Sequence, residues 1–235
     1  LSTGDYAVAT WDFGDATSPV AVNFGDPDPV HTYAAKGLYP VTLTLTGKGG
    51  PSSVTMTDYI MVYGAVVAAF TAAPADGLAP LTVTFTNLSL GDYTESSWDF
   101  DNDGVVDSTQ TNPTHTFVTP GVYTVTLTAS GLGGTDTATG TVHARAQVGA
   151  AFSAAPLTGY APLAVQFTNE SIGDFDTYSW DFNYDGIVDS TEPNPVHTYA
   201  AADVYTVALT VSGPGGSDTE VKSQYIAVYA PVLSV

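Results

Sequence analysis

The chain has 235 residues, of which 24 are acidic and four are basic, and its formal net charge at pH 7 is −20. This charge repels phosphate backbones and anionic lipid surfaces, so it argues against nucleic-acid binding and favours metal cations. The chain contains no cysteine, and no run of about 18 apolar residues predicts a membrane span.

A unit of domain length is repeated along the chain. The same three residue types recur in the same order in each copy: Trp11, His31 and Tyr39; Trp98, His115 and Tyr123; and Trp180, His197 and Tyr205. Tandem repetition of this kind predicts separate modules that serve reach, display or assembly rather than one catalytic pocket. The predicted modules are 1–63, 64–146 and 147–229.

The first copy, 1–63, is expected to be a partial module. Its first residue aligns with Leu88 and Glu170, just beyond the strand that ends at Asn87 in the second copy. We therefore expect the first copy to lack its first two strands, which would expose sheet edges and core. The sequence Asp12-Phe-Gly-Asp15 lacks an alternating series of oxygen ligands, and no metal is expected there.

The second copy, 64–146, contains three extended runs that are rich in valine and threonine. They are Leu81–Asn87, Gly121–Ala129 and Gly134–Val142. Valine and threonine are stiff at χ1 and suit pleated strands better than helices. Turns that contain glycine and proline separate the runs. The pattern predicts an all-β fold in which each complete module packs about seven short strands into two sheets.

Three recurring positions are expected to stabilise each module. Trp98 lies within a predicted strand, where its large side chain would fill the space between the sheets. Tyr123 follows a Pro-Gly turn and is expected to anchor a corner through its hydroxyl. A ligand platform is the alternative role for both aromatic residues. His115 recurs in the same slot before an aromatic residue and is therefore expected to make a hydrogen bond within its module. A catalytic role is not expected, since no nucleophile or carboxylate pair accompanies it.

Each complete copy carries an acidic loop directly after its tryptophan. Oxygen-bearing side chains occupy positions 1, 3, 5 and 9 and glycine occupies position 6, as in calcium-binding loops. The predicted ligands are Asp99, Asp101, Asp103, the carbonyl of Val105 and Asp107 in the second copy, and Asp181, Asn183, Asp185, the carbonyl of Ile187, Asp189 and Glu192 in the third. Oxygen ligands without cysteine favour a structural Ca²⁺ over Zn²⁺. The alternative is a solvated acidic turn whose first aspartate caps a backbone amide.

The two loops differ at position 12. The third copy has Glu192 there, whereas the second copy has Gln110. A carboxylate at this position can supply two oxygens to calcium. The sequence therefore predicts tighter calcium binding in the third copy.

Three ordered motifs of each copy resemble the polycystic kidney disease (PKD) domain. In the second copy they are Trp98-Asp-Phe100, Asn112-Pro-Thr-His-Thr-Phe117 and Gly121-Val-Tyr-Thr-Val-Thr-Leu127, and both other copies carry counterparts. The resemblance covers essentially the whole chain. It implies immunoglobulin-like β-sandwiches of the kind found in extracellular proteins, such as surface-layer proteins, adhesins and the accessory parts of secreted hydrolases.

The leading interpretation is a non-catalytic array, secreted or at the cell surface, that forms part of a surface layer, stalk or filament. Such an array would associate with itself or with a neighbouring surface protein. The alternative is an accessory region of a secreted hydrolase that binds polysaccharide or protein fibres, since the fold alone does not decide the function. A binder of that kind is expected to expose a row of aromatic side chains, for which Tyr93, Tyr178 and Tyr184 are the loop candidates.

The boundaries between the copies lack flexible, Gly/Ser-rich linkers. Tyr59–Tyr63 runs directly into Gly64–Phe70, so the last strand of one module is expected to continue into the first strand of the next. Residues 230–235 are expected to start a further module or to be donated as a strand to another subunit.

Two segments match the N-glycosylation pattern, Asn87-Leu-Ser89 and Asn169-Glu-Ser171. The alternative is that each segment only forms the turn after its strand.

Overall fold

The computed structural model describes residues 5–231, and these residues form strands, turns and loops without a helix. The prediction of an all-β fold is therefore confirmed. Within this part of the chain no helix is long and apolar enough to cross a membrane.

The strands of the described chain follow the valine- and threonine-rich runs. In chain order they are β1 (Tyr6–Asp12), β2 (Val20–Asn23), β3 (Gly37–Gly47), β4 (Gly50–Val62), β5 (Phe70–Ala73), β6 (Asp76–Leu78), β7 (Leu81–Asn87), β8 (Glu95–Asp99), β9 (Thr114–Phe117), β10 (Gly121–Gly131), β11 (Gly134–Arg145), β12 (Phe152–Ala155), β13 (Thr158–Tyr160), β14 (Leu163–Asn169), β15 (Thr177–Asp181), β16 (Val196–Tyr199), β17 (Asp203–Gly213) and β18 (Gly216–Tyr229). In β7 the buried Leu81, Val83 and Phe85 alternate with exposed threonines. This alternation places one face of the strand in the core.

The first module forms one four-stranded sheet in the order β2-β1-β3-β4. The central strands β1 and β3 pair antiparallel, with Ala9 opposite Leu45 and Trp11 opposite Leu43. Ala9 and Val41 are buried, whereas Trp11 and Leu43 are half-buried. The apolar face of this sheet is thus only partly covered by the described residues.

The second and third modules contain seven strands each, β5–β11 and β12–β18. In each module three strands form one sheet, in the order β5-β7-β9 or β12-β14-β16. Four strands form the other sheet, in the order β6-β11-β10-β8 or β13-β18-β17-β15. The three-residue strands β6 and β13 run parallel to the ends of β11 and β18. The predicted number of strands is confirmed for both modules.

The third module shows most clearly how the two sheets share one core. Its buried residues come from both sheets: Phe152, Val165, Phe167 and Tyr199 from β12, β14 and β16, and Trp180, Val207, Leu209, Val211, Ile226 and Val228 from β15, β17 and β18. Removing this apolar surface from water is the main force that holds the two sheets together. The arrangement is a β-sandwich.

The tryptophans of the second and third modules are fully buried, as predicted. The rings of Trp98 and Phe70 meet edge to face with their centroids 5.2 Å apart. The indole N–H of Trp98 donates to the carbonyl oxygen of Gln110 at 2.9 Å, so its buried polar atom has a partner. Trp180 repeats this bond with the carbonyl oxygen of Glu192 at 2.8 Å. Both residues are core residues rather than ligand platforms.

The predicted corner tyrosine is present in all three modules. The hydroxyls of Tyr39, Tyr123 and Tyr205 donate to the carbonyl oxygens of Ala35, Thr119 and Ala201, at 2.8, 2.9 and 3.0 Å. Each bond ties the start of a long strand to the loop that precedes it. The sequence therefore predicted both the position and the contact of this side chain.

Replacing Tyr205 by phenylalanine tests the value of this corner bond. The ring stays, but the carbonyl oxygen of Ala201 loses its donor, so the free energy of unfolding of the third module should fall by about 0.5–1.5 kcal/mol. Urea denaturation measures the change. Tyr160→Phe is the matched control, because Tyr160 is 61% exposed and should not alter the midpoint. Equal midpoints for both variants would contradict a stabilising role of the corner bond.

The segments between modules differ from the sequence-based prediction. β4 ends at Val62 and the next strand begins at Phe70, while β11 ends at Arg145 and the next strand begins at Phe152. The prediction that one strand continues into the next is therefore wrong. Short bridges interrupt each segment, between Val67 and Leu90 and between Gly149 and Ile172. The physical reason is that the backbone of each segment bonds to neighbouring loops instead of extending a strand.

The C-terminal end of the chain was predicted to start a further module or to be donated as a strand. Ala230 and Pro231 lie outside any strand. Residues 232–235 of this predicted segment lie outside the described residues.

Candidate metal-binding loops

Both acidic loops are closed at their base by the backbone of the core tryptophan. In the second module the N–H of Trp98 donates to the carbonyl oxygen of Ser108, and the N–H of Asp107 donates to the carbonyl oxygen of Trp98, both at 2.8 Å. The same bonds recur in the third module around Trp180. Because the indole is buried in the core, the first residue of each loop has a fixed position.

The aspartates of the second-module loop turn towards the loop backbone. The two carboxylate oxygens of Asp99 accept the N–H of Asp103 at 3.3 Å and that of Gly104 at 2.9 Å. Asp107 accepts the N–H of Phe100 at 2.6 Å. Gly104 has φ +86°, a conformation that favours glycine. The glycine at position 6 is therefore required by the turn that wraps the backbone around Asp99.

Three of the predicted ligands in this loop come together. Carboxylate oxygens of Asp99, Asp101 and Asp107 all lie within 4.8 Å of one another. Asp103 is not part of this group, and one of its oxygens accepts the N–H of Val105 at 2.7 Å. Carboxylates this close repel each other unless a cation is present. The donor set consists of hard oxygens, which suits calcium.

The loop backbone favours the ionised form of Asp99. Desolvation acts to raise the pKa of this carboxyl, but the surrounding N–H groups, led by that of Gly104, outweigh it and lower the pKa below its usual value. Hydrogen bonds to a carboxylate stabilise its charged form. Asp99 is thus kept in the state that can bind a cation.

The third-module loop repeats this backbone arrangement. Asp181 accepts the N–H of Asp185 at 3.2 Å and that of Gly186 at 2.8 Å, and Asp189 accepts the N–H of Phe182 at 2.7 Å. The difference is at position 3, where the side-chain amide of Asn183 donates to Asp185 at 2.9 Å. The third loop therefore has one carboxylate fewer among its central residues than the second.

The effect of position 12 stays a prediction and can be tested by exchange. Glu192→Gln should weaken calcium binding by the third module, and Gln110→Glu should strengthen binding by the second. A change of about tenfold in the dissociation constant corresponds to about 1.4 kcal/mol of ligand interaction. Calorimetry with calcium measures both constants. Unchanged constants in both variants would show that this residue is not a ligand.

The first module has a hairpin between β1 and β2 where the other modules have their acidic loops. Its Asp15 carboxylate lies 2.7 Å from Nε2 of His31. The other oxygen of Asp15 accepts the hydroxyl of Thr17 at 2.6 Å and its N–H at 3.2 Å. Sequence reasoning missed this contact, because it joins Asp15, between β1 and β2, to His31 in the loop that follows β2.

The Asp15 contacts predict an acid-sensitive first module. The hydroxyl of Thr17, together with His31 and against the effect of desolvation, lowers the pKa of Asp15 from 3.8 to about 2. The unfolded chain therefore binds more protons between these values, and the stabilisation that Asp15 gives above pH 4 is lost as the pH falls towards about 2. The NMR signal of the Trp11 indole should report this loss. In Asp15→Asn the pH dependence over this range should disappear, and a profile like that of the wild type would contradict the assignment.

The recurring histidines all stack on a phenylalanine ring, and His31 also makes a hydrogen bond. His115 stacks on Phe100 with centroids 4.3 Å apart, and His197 stacks on Phe182 at 4.4 Å. Among the described residues only His31 of the three also pairs with a carboxylate. The predicted hydrogen bond within the module is therefore made by His31, and in the described part of the chain it is not made by His115 or His197. Burial lowers the pKa of His197, against the opposing charge of Asp189, and favours the neutral ring.

The two glycosylation patterns lie at the same turn of their modules. The hydroxyl oxygen of Ser89 accepts the N–H of Ala69 at 3.2 Å, and the equivalent bond of Ser171 measures 3.0 Å. Ser89 is buried. These contacts support the turn-forming role of the two patterns. Glycosylation of Asn87 and Asn169 stays a prediction.

Comparison with solved structures places the fold among tandem immunoglobulin-like domains. The I-band fragment I67–I69 from titin is 14% identical, with a TM-score of 0.56 over 97% of this chain and 90% of that chain. An E-to-A variant of the same three titin domains is also 14% identical, with the same coverage and a TM-score of 0.57. The N-terminal four Ig domains of Dscam1 isoform 6.9 are 10% identical, with a TM-score of 0.50 over 95% of this chain and 65% of that chain. At these identities the likeness shows the fold alone.

The sequence family is shown independently of these structures. The family model described as the PKD domain matches residues 1–62, 65–146 and 150–228. These three segments follow the repeated units that carry the recurring tryptophans and the corner tyrosines. The chain therefore belongs to the PKD domain family, of which it contains three consecutive matches.

Proposed function

We propose that this chain is a non-catalytic structural or adhesive array that acts outside the cell, as part of a surface layer, stalk or filament. The observation that carries the proposal is the repetition of one module in three consecutive matches to the PKD family. Repeated modules multiply a surface for display or assembly without a central pocket. The proposed partners are further copies of the array or a neighbouring surface protein.

The second part of this proposal is that the array binds calcium, which agrees with the negative charge of the chain. With a net charge of −20, self-association requires cations that neutralise the surface. In the second module Asp99, Asp101 and Asp107 would hold Ca²⁺, with the carbonyl of Val105 and Asp103 as further candidates. In the third module the candidates are Asp181, Asn183, Asp185, the carbonyl of Ile187, Asp189 and Glu192. Bound calcium would supply the positive charge that balances the carboxylates of each loop.

The alternative function is an accessory region that binds polysaccharide or protein fibres for a secreted hydrolase. Of the three candidate aromatic residues, Tyr184 is 58% exposed. Tyr178 is half-buried, packs against the core of its module and has its ring 5.7 Å from that of Phe175. Tyr93 is also half-buried. Only one of these three loop candidates is thus exposed, and together they do not form the row of aromatic side chains that such a binder is expected to present.

Electron microscopy and a binding assay together test the proposal. The purified protein is incubated with calcium and imaged, and its native source is examined for surface lattices or filaments that the protein labels. Regular assemblies would support the array. Dispersed molecules that bind to chitin, cellulose or collagen would support the alternative and overturn the leading proposal.

A further inference from the structure

The segments between modules are held by a pattern of hydrogen bonds that recurs at both junctions. These segments begin at Gly64 and Ala146, which are separated by one repeat length, as Trp98 and Trp180 are. In each case one aspartate of the following module, Asp92 or Asp174, bonds to both backbone groups of that first residue. Two independent occurrences in one chain indicate a built feature rather than a chance contact.

At the first junction Asp92 bonds to Gly64 through both its side chain and its backbone. Its carboxylate accepts the N–H of Gly64 at 2.6 Å, and its own N–H donates to the carbonyl oxygen of Gly64 at 3.0 Å. The carbonyl oxygen of Asp92 accepts the N–H of Gly133 at 3.0 Å, and the carbonyl oxygen of Gly133 accepts the N–H of Val66 at 3.3 Å. A closed ring of bonds therefore encloses residues 64–66.

At the second junction Asp174 makes the same bonds. Its carboxylate accepts the N–H of Ala146 at 3.0 Å, and its own N–H donates to the carbonyl oxygen of Ala146 at 3.1 Å. The N–H of Gly215 donates to the carbonyl oxygen of Asp174 at 2.7 Å, and the N–H of Val148 donates to that of Gly215 at 3.2 Å. Each ring lies within one compact unit of the chain, the first in one unit and the second in the other.

Glycine is required where the loops approach the segment most closely. A Cβ atom on Gly133 would lie 2.0 Å from the carbonyl oxygen of Gly64, and one on Gly215 would lie 2.1 Å from that of Ala146. Contacts this short do not occur between real atoms, so a side chain at either position would push the segment away. The two rings thus depend on the same glycine as well as on the same aspartate.

Two of the four basic residues of the chain stand beside these aspartates. Lys36 lies 3.5 Å from the carboxylate of Asp92, and the N–H of Gly64 together with this lysine lowers the pKa of Asp92. At the second junction the pKa of Arg145 is raised, first by its hydrogen bond with Asp76 and further by the charge of Asp174. The lowered pKa of Asp92 favours its charged form, which strengthens its bond to the N–H of Gly64.

We infer that Asp92 and Asp174 are junction clamps, positioning residues that fix the first residue of each inter-module segment to the module that follows it. This role does not require calcium, since the clamps lie outside the acidic loops. It accounts for the ordered course of two segments that do not form strands. It also explains why short, glycine- and alanine-rich segments hold their conformation without the pairing of a sheet.

Hydrogen exchange of single amides tests the clamps. In Asp92→Ala the amide of Gly64 should exchange about tenfold to a hundredfold faster, because it loses a bond to a charged acceptor. The amide of Ala146 should not change, and Asp174→Ala should give the reverse result. Each junction therefore serves as the control for the other. Unchanged exchange at Gly64, or an equal increase at both junctions, would overturn the inference.

Further variants separate the clamp from general loss of stability. Asp92→Asn keeps a side-chain oxygen, so the amide exchange rate of Gly64 should rise less than in the alanine variant. The asparagine variant also tests the clamp if the alanine variant fails to fold. Asp136 accepts the N–H of Ala68 at 2.8 Å, so Asp136→Ala should accelerate Ala68 but not Gly64. Lys36→Met should change Gly64 by less than about threefold, because an exposed ion pair contributes little. An Asp136 variant that accelerates Gly64 as strongly as Asp92→Ala would contradict a specific clamp.

Discussion

Calcium added to the metal-free protein should raise the unfolding temperature of the second module by about 10–20 °C when its concentration is about a hundredfold above the dissociation constant. The reason is that carboxylate oxygens of Asp99, Asp101 and Asp107 lie within 4.8 Å of one another, and a bound cation relieves their mutual repulsion. Calorimetry after treatment with a chelator, and then with calcium, measures the shift. The NMR signals of the three tryptophan indoles assign it to a module, since each module has one tryptophan.

Asp101→Asn is the variant that separates metal binding from the folding of the loop. Within residues 5–231 the carboxylate of Asp101 accepts one long bond, from the N–H of Asp103 at 3.3 Å, whereas Asp99 and Asp107 accept shorter bonds from the loop backbone. The variant should therefore fold without calcium as the wild type does, while its calcium-dependent shift in the second module falls by roughly half or more. The first and third modules provide controls, with no shift expected in the first and an unaltered shift in the third. The absence of any calcium-dependent shift in the wild type would remove the metal proposal.

The sequence predicted the strands that have a regular alternation and a core partner. The predicted run Leu81–Asn87 coincides with β7, and Trp98 and Trp180 are fully buried. These features are local or repeat at fixed spacing, so one sequence contains the information that locates them. The strand pattern predicted two sheets in each complete module, and the resemblance of the motifs to the PKD domain implied the immunoglobulin-like type of sandwich.

Other features depend on contacts between distant residues and could not be predicted. β6 consists of Asp76–Leu78 and has glycine at its centre, which by itself indicates a turn. It forms a strand only because β11 offers it a parallel partner from His143 to Arg145. Asp92 is a second example. Its Gly-Asp sequence indicates a turn, but the sequence does not show that its carboxylate accepts the N–H of Gly64.

The candidate metal site was predicted by residue type and spacing, yet the individual side chains differ in role. Alternation places Asp99, Asp101 and Asp103 in one loop, but the structure groups the first two with Asp107 and turns Asp103 to the N–H of Val105. Backbone N–H groups compete with a cation for the same oxygens. Sequence spacing does not reveal which carboxylates accept hydrogen bonds from the N–H groups of the loop.

Trp98→Ala should lower the free energy of unfolding of the second module by about 3–5 kcal/mol. Trp98 is fully buried, and its ring contacts Phe70 and Phe85 with centroids 5.2 and 5.4 Å away. The substitution leaves a cavity and also removes the donor to the carbonyl oxygen of Gln110. Since domains of this size are stable by about 5–15 kcal/mol, little stability would remain. Hydrogen exchange of the amides of β7 and the start of β10 measures the loss.

The first module supplies the matched control for this large effect. Trp11 occupies the same position in its module but is only half-buried, so Trp11→Ala removes less surface from the core and should cost about 1–2 kcal/mol. Trp98→Phe keeps an aromatic ring but loses the indole N–H and part of the side-chain volume. It should lower the free energy of unfolding by an intermediate amount, about 1–3 kcal/mol. Burial predicts that stability at position 98 increases in the order alanine, phenylalanine, wild type. It also predicts the smaller loss of stability at position 11. Equal costs for Trp11→Ala and Trp98→Ala would mean that the sandwich core does not determine the stability of these modules.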